Sequence, residues 1–293
     1  MNPATLAPLP HLNRSFSKNP QAPKDASQGA YLLGKSTQEP ERLIKQAELY
    51  RPEARQMLES VNLKPGERAL DLGCGPLGIL DEMAKRVGST GHVTGLERED
   101  RYRAYAEAEV RRGGFDHVNV IAGDARHTHL PNQNFDLAHA RLLLVNVPRP
   151  QEVVNELVRV TKVGGTVALH EVDWSSWTCD PLAESWTRIK DAARNVWSQN
   201  GLDVHIGNRL PEMLGKAGIT NIQVQRRCYV WRAGDIKHTF LLAILKRIRN
   251  DIAEAGLLSE TEIDTFERDL AAHLADPNTR VLSPTYVQAW GVK

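Results

Sequence analysis

Cysteine is scarce in this chain: Cys74, Cys179 and Cys228 stand far apart among 293 residues and are odd in number. That argues against a disulfide framework and for a reducing compartment. There is no Cys-x-x-Cys pair. His127-Thr128-His129 offers two histidines with no third ligand at a metal-binding spacing, so these are read as turn residues and no metal is expected. Charge of one sign is lacking too. Lys plus Arg number 37 against 36 for Asp plus Glu, so no overall field draws the chain to nucleic acid or to an acidic membrane surface. No apolar run approaches the roughly 18 residues of a membrane span, and no charged region followed by an apolar core opens the sequence. These absences predict a soluble cytoplasmic protein with no nucleic-acid partner and no membrane span. Its oligomeric state stays open, a homo-oligomer included.

What is present has a clear order. Residues 1–30 carry five prolines among polar residues, too little apolar surface to offset the entropy of ordering, and read as a flexible arm. From 31 to 63 apolar residues recur at helical spacing with Pro52 as a break, which predicts a helical N-terminal lid of two helices. From 64 to the end a single domain is expected. Strands are predicted over 68–72, 92–97, 118–122, 135–140 and 166–172, with helices over 77–87, 100–112 and 150–161 between them. This is the rhythm of βαβ units, hence an α/β fold with a doubly wound, mostly parallel sheet. Further along, 208–217 reads as a helix and 221–230 and 281–291 as strands. Two segments interrupt this core, about 173–207 with Trp174, Trp177, Trp186 and Trp197, and about 235–275, strongly helical. Both are expected as caps over the carboxyl edge of the sheet.

The run Asp71-Leu72-Gly73-Cys74-Gly75-Pro76-Leu77-Gly78 sets a strand directly before a glycine turn and a helix start. Glycine lets the backbone turn tightly and a ligand approach, and the helix start offers free N–H groups. Gly73, Gly75 and Gly78 also satisfy the G-x-G-x-x-G spacing of a dinucleotide site, so an NAD-dependent oxidoreductase is the competing reading. Asp71 weighs against it: a carboxylate there repels a pyrophosphate and attracts the ammonium of an amino-acid-bearing cofactor. Glu97, 19 residues beyond Gly78 at the end of the second strand, suits the hydroxyls of a ribose.

In their order these motifs resemble the class I S-adenosylmethionine-dependent methyltransferases, above all the group of quinone-biosynthesis and natural-product enzymes that act on small molecules. The likeness spans roughly 63–172. Its carriers are the loop from Asp71 to Gly78, Glu97, the turn Gly123-Asp124-Ala125, Phe135-Asp136, and Val163-Gly164-Gly165. The resemblance implies a Rossmann-like sheet of seven strands with an antiparallel last strand, and S-adenosyl-L-methionine as cofactor. It implies that Asp124 bonds the adenine amino group, that Ala125 lies against the ring, and that Arg141 lines the cofactor. Asp71, Gly73, Gly75, Glu97 and Arg98 complete that side, with Tyr31 and Arg42 closing over it from the lid. One departure stands out: Leu77 occupies the place of the family's third glycine, and Gly78 follows it.

Methyl transfer requires mainly a nucleophile held in line with the sulfur–methyl bond and the exclusion of water. A base helps where a proton must leave the acceptor. His139, His170, Glu171 and Asp173 stand at strand ends in the right region and are the candidates as a group. The expected activity is transfer of a methyl group to a small-molecule acceptor. Beside the oxidoreductase, a cofactor-binding relative that does not methylate remains an alternative.

Overall fold

Side chains that alternate along the strands determine how the sheet is covered. The computed structural model describes Leu32 and residues 39–293, apart from the Glu41 side chain. The arm at 1–30 and Tyr31 lie outside the described residues. The lid segment contributes helices α1 (Glu39–Leu49) and α2 (Arg51–Ser60), with Pro52 in the first turn of α2, where a missing N–H costs nothing. Strands β1 (Arg68–Leu72), β2 (His92–Glu97), β3 (Val118–Ala122), β4 (Phe135–Arg141) and β5 (Thr161–Asp173) alternate with helices α3 (Leu80–Val87), α4 (Asp100–Arg112) and α5 (Pro150–Val160). Along β1, β4 and β5, Leu70, Ala138 and Val167 pack into one core, which includes α5. Their neighbours Ala69, Leu137 and Ala168 pack into a second core with α2, α3 and α4. A sheet buried on both faces follows from that period of two.

The strand order is β3-β2-β1-β4-β5-β10-β7. The first five run parallel, and β10 (Thr285–Val292) runs antiparallel between β5 and β7 (Thr220–Arg227). The chain winds outward from β1 to β3, then returns to the other side of β1 with β4, so a crevice opens beyond the carboxyl ends of β1 and β4.

Five predicted elements differ by more than one residue at an end. The strand expected over 166–172 is β5, which already begins at Thr161. The helix expected from Leu77 starts only at Leu80, because Gly78 takes a left-handed φ of 57°. The helix expected over 208–217 is a 3-10 turn at Ile206–Arg209 followed by α7 (Leu210–Lys216). The strand expected over 221–230 divides into β7 and β8 (Val230–Arg232), and that over 281–291 into β9 (Arg280–Leu282) and β10, with Pro284 in the gap. The halves cut off are used elsewhere: β8 and β9 join β6 (Thr178–Asp180) in a separate sheet of order β6-β9-β8. That sheet ties together the segments carrying α6 (Glu184–Gln199), α8 (Phe240–Glu254) and α9 (Glu260–Ala275), and α6 packs on both α8 and α9.

Tryptophan welds this part to the main core. Trp177 and Trp186 are fully buried, with ring centres 5.6 Å apart and nearly perpendicular, and Trp177 also meets Trp174 at 5.0 Å. Trp186→Ala is expected to cost about 3–5 kcal/mol, read from the urea midpoint. A loss under about 1 kcal/mol would mean the helices are not packed as one core with the sheet.

Candidate active site

The turn after β1 is built from three glycines with positive φ: 65° at Gly73, 58° at Gly75 and 57° at Gly78. Their reasons differ. A Cβ on Gly78 would stand 2.5 Å from Asp71 Oδ2 and 2.6 Å from the Cys74 carbonyl oxygen, and one on Gly73 would stand 2.7 Å from Leu143 Cδ1. One on Gly75 would meet no protein atom within 4 Å, although Gly75 lines the cavity. There the missing side chain leaves room for a ligand. The glycine displaced to position 78 thus serves packing against Asp71.

Carboxylates hold this turn. Glu97 Oε2 accepts the Gly75 N–H and Oε1 the Glu99 N–H, both at 2.9 Å. Burial pushes its pKa up, and those backbone donors oppose the rise. The Arg98 backbone bonds to the same carboxyl, which leaves about one of its roughly four acceptor sites open. Asp71 is buried, with Oδ1 2.8 Å from His139 Nδ1 and Oδ2 accepting the Ile79 N–H at 3.5 Å. Arg141 donates from Nη2 to the Gly78 carbonyl at 3.0 Å, while its Nη1 is buried and has no hydrogen-bond partner among the described residues. Burial lowers its pKa. On the far side, Arg126 clamps Asp124 (Nη2 to Oδ2, 2.6 Å) and holds its carboxyl down at about 2. Arg98 pairs with Glu99 at 3.2 Å. Arg42 reaches Glu39 and Gln46, and buried Glu39 also faces Arg247 at 3.2 Å.

One cavity of about 250 Å³ gathers these groups, close to the lower end of the roughly 300–1,000 Å³ usual for ligand pockets. Of the expected cofactor contacts, Arg42, Asp71, Gly73, Gly75, Glu97, Arg98, Asp124, Ala125 and Arg141 all line it. Tyr31 lies outside the described residues. The cavity continues past the glycine turn into an apolar chamber with Trp174, Trp197, Phe240 and Ile244 on its wall. Trp177 and Trp186 do not line it.

None of the four candidate bases is among the residues that line this cavity. His139 is buried and bonded to Asp71. His170, buried against the Tyr50 and Tyr286 rings, has a pKa well below the ordinary value because of burial and then Arg141. Asp173 accepts from Ser175 and lies 2.8 Å from His205 Nδ1; burial pushes its pKa up, but these partners outweigh it and hold the carboxyl low. Glu171 is fully buried, accepts the Leu144 N–H at 2.6 Å, and is raised by burial to about 8.

The sequence reading missed the polar pair in the chamber. Tyr50 and Tyr286 hydroxyls meet at 2.8 Å, and both residues line the cavity. Burial pushes Tyr50 up to about 12 and raises Tyr286 well above its ordinary value. Lys237 Nζ sits 4.0 Å from the Tyr50 ring centre and is lowered by burial to about 8. Tyr50 had only its helical setting to mark it, and Tyr286 only its place in the last strand.

A sequence profile described as a methyltransferase domain matches residues 63–218. The chain belongs to this family, the class I S-adenosylmethionine-dependent methyltransferases, whose cofactor is S-adenosyl-L-methionine. Among relatives, it is 35% identical over 181 residues to the demethylmenaquinone methyltransferase of Geobacillus kaustophilus, covering 58% of this chain and 77% of that protein. It is 35% identical over 124 residues to an uncharacterised 37.1 kDa protein of transposon TN4556 from Streptomyces fradiae, covering 42% of this chain and only 35% of the other, so the chain spans about a third of that relative. In fold it is similar to the BH2331 protein of Bacillus halodurans (TM-score 0.56, 15% identity, 81% of this chain and 97% of that one). It is also similar to the YcgJ protein of Bacillus subtilis (TM-score 0.52, 16% identity, 81% and 97%).

The residues present fit the cofactor. The open face of Gly75, the acceptor site left on Glu97 and the unpartnered Nη1 of Arg141 suit its backbone-close ribose, a ribose hydroxyl and its carboxylate. Among the described residues no group of three or more His, Cys, Asp or Glu could hold a metal, and no helix is long and apolar enough to cross a membrane.

Glu171 also carries a pH signature. Its folded value of about 8 lies above the ordinary 4.5, so its contribution to stability is full below about pH 4.5 and is lost as pH rises towards about 8. Glu171→Gln keeps an acceptor oxygen and cannot titrate. Its urea midpoint is therefore expected to fall less than that of the wild type between about pH 5 and about pH 8; parallel falls would refute the assignment.

Proposed function

We propose that the protein transfers a methyl group from S-adenosyl-L-methionine to a small-molecule acceptor by in-line displacement inside this cavity. One observation carries the reading: the glycine turn, Glu97 and the unpartnered Arg141 nitrogen share a cavity with an apolar aromatic chamber. When bound, the cofactor supplies a methyl group already activated on a sulfonium. Gly75 leaves the backbone open to it, and Glu97 accepts from a ribose hydroxyl. Asp124 and Ala125 flank the adenine, and Arg141 takes the carboxylate. Asp71, tied to His139, adds negative charge near the amino group.

In the other half, Trp174, Trp197, Phe240 and Ile244 wall the acceptor and exclude water, which strengthens every electrostatic contact inside. The Tyr50 and Tyr286 hydroxyls are the polar groups that orient it. Burial raises both, Tyr50 to about 12, so they act as hydrogen-bond partners rather than as a strong base. The Geobacillus relative's name, demethylmenaquinone methyltransferase, supports a quinone-like acceptor, and the small cysteine content supports work in the cytoplasm.

Calorimetry with S-adenosylhomocysteine tests the cofactor half. Binding is expected for the wild type, and Glu97→Ala and Arg141→Ala should each weaken it at least about tenfold, or ~1.4 kcal/mol. Absence of binding to the wild type, or unchanged affinity in both variants, would overturn the reading. A titration with reduced nicotinamide dinucleotide followed by fluorescence is expected to show no binding, and saturation there would favour the oxidoreductase instead.

A further inference from the structure

The segment joining β4 to α5 forms one wall of the cavity through Leu142, Leu143, Val145, Asn146, Val147 and Pro148. Its backbone is constrained. Leu142 and Arg149, near its two ends, hold left-handed φ values of 51° and 58°, which residues with a Cβ keep only where the surroundings impose them. Inside lies a single 3-10 turn, Leu144–Asn146, with the Asn146 N–H on the Leu143 carbonyl at 2.9 Å and the Asn146 amide on the Leu142 carbonyl at 3.0 Å. The Leu142 N–H is taken by the His170 carbonyl at 2.8 Å.

The Val147 N–H goes to the Leu144 carbonyl at 3.3 Å, and the three N–H groups between Leu142 and Asn146 turn to one side chain. Glu171 Oε1 accepts from Leu144 at 2.6 Å, and the backbone of Val145 and Leu143 bonds to the same carboxyl. Glu171 Oε2 is buried and has no hydrogen-bond partner among the described residues. No neighbouring charge ranks among the influences on this group; burial and the three backbone donors do. An acid without a cationic partner in such a place is expensive, and packing alone would favour an apolar residue. It lies outside the cavity wall, so it does not touch the reacting groups.

We propose that Glu171 is a positioning residue: its buried carboxyl gathers the N–H groups of Leu143, Leu144 and Val145 and so holds the β4–α5 segment in the shape that closes the cavity. Leu143 passes the effect on, since its Cδ1 and Cδ2 fill the space over Gly73. A shift of the segment therefore withdraws the chamber wall and the support of the glycine turn together. Burial keeps the group protonated near neutrality, and the protonated carboxyl accepts through its carbonyl oxygen. An amide can stand in for it.

This inference rests on the methyl-transfer reading for the purpose of the site, but its test does not. Amide hydrogen exchange on the full chain, wild type, Glu171→Gln and Glu171→Leu, reads the segment directly, and calorimetry with S-adenosylhomocysteine reads the site. Glu171→Gln should keep the protection of amides 143–145 and the affinity of the wild type. Glu171→Leu should lose protection there at least about tenfold while amides of β1 and β4 keep theirs, with affinity falling at least about tenfold. Unchanged local protection in Glu171→Leu, a loss spread evenly over the sheet, unchanged affinity in a wild type that binds, or failure of Glu171→Gln to rescue would each overturn the proposal. Should the local exchange behave as expected while the wild type binds no S-adenosylhomocysteine, the cofactor reading fails and the positioning role stands.

Discussion

Where a parallel strand stops, the turn that follows has backbone N–H groups with no ladder to join, and burial makes each of them costly to leave alone. In this chain carboxylates answer that demand along the whole carboxyl edge. Asp71 takes the N–H of Ile79, Glu97 those of Gly75 and Glu99, Asp124 that of Arg126, Glu171 that of Leu144 and Asp173 that of Ser175. The edge is shaped by these acids before any ligand arrives. What a cofactor meets is the remainder: an acceptor site on Glu97, an open glycine, and an arginine nitrogen.

This explains both what could be read from the sequence and what could not. The first three strands and α4 fall on the residues that periodicity gives, because each is a local pattern. The glycine turn and Glu97 were legible because their spacing is dictated by one βαβ unit. The strand-end acids and histidines were equally visible, but their direction was not. Glu171 and His170 are adjacent, so they point to opposite faces of β5, and neither side chain lines the cavity. Glu171 and Asp173 are taken by backbone N–H groups and His139 by Asp71, while neither ring nitrogen of His170 has a hydrogen-bond partner among the described residues.

Contacts between distant segments were beyond local pattern. The Tyr50–Tyr286 pair joins residues 236 apart, and the sheet β6-β9-β8 draws its strands from three separate stretches. A run such as 281–291 looks like one strand until Pro284 places its first part in one sheet and its second in another. The four tryptophans divide in the same way: their shared size predicts burial, but only the packing of α6 against α8 decides that Trp177 and Trp186 fill the interior while Trp174 and Trp197 reach the chamber.

The chamber has a divided ancestry within the chain. The segment shared with the family runs from 63 to 218 and holds the glycine turn, Glu97, Asp124 and the β4–α5 wall. Phe240, Ile244, Pro284 and Tyr286 come from beyond it. Selection can therefore act on the two halves at different rates. A substitution at Phe240 or Ile244 redraws the chamber without disturbing a strand register or a glycine φ, whereas a change at Gly73 or Gly78 collides with its neighbours at once. The cofactor half is thus fixed by backbone geometry, and the tail by packing that other side chains of similar volume can supply.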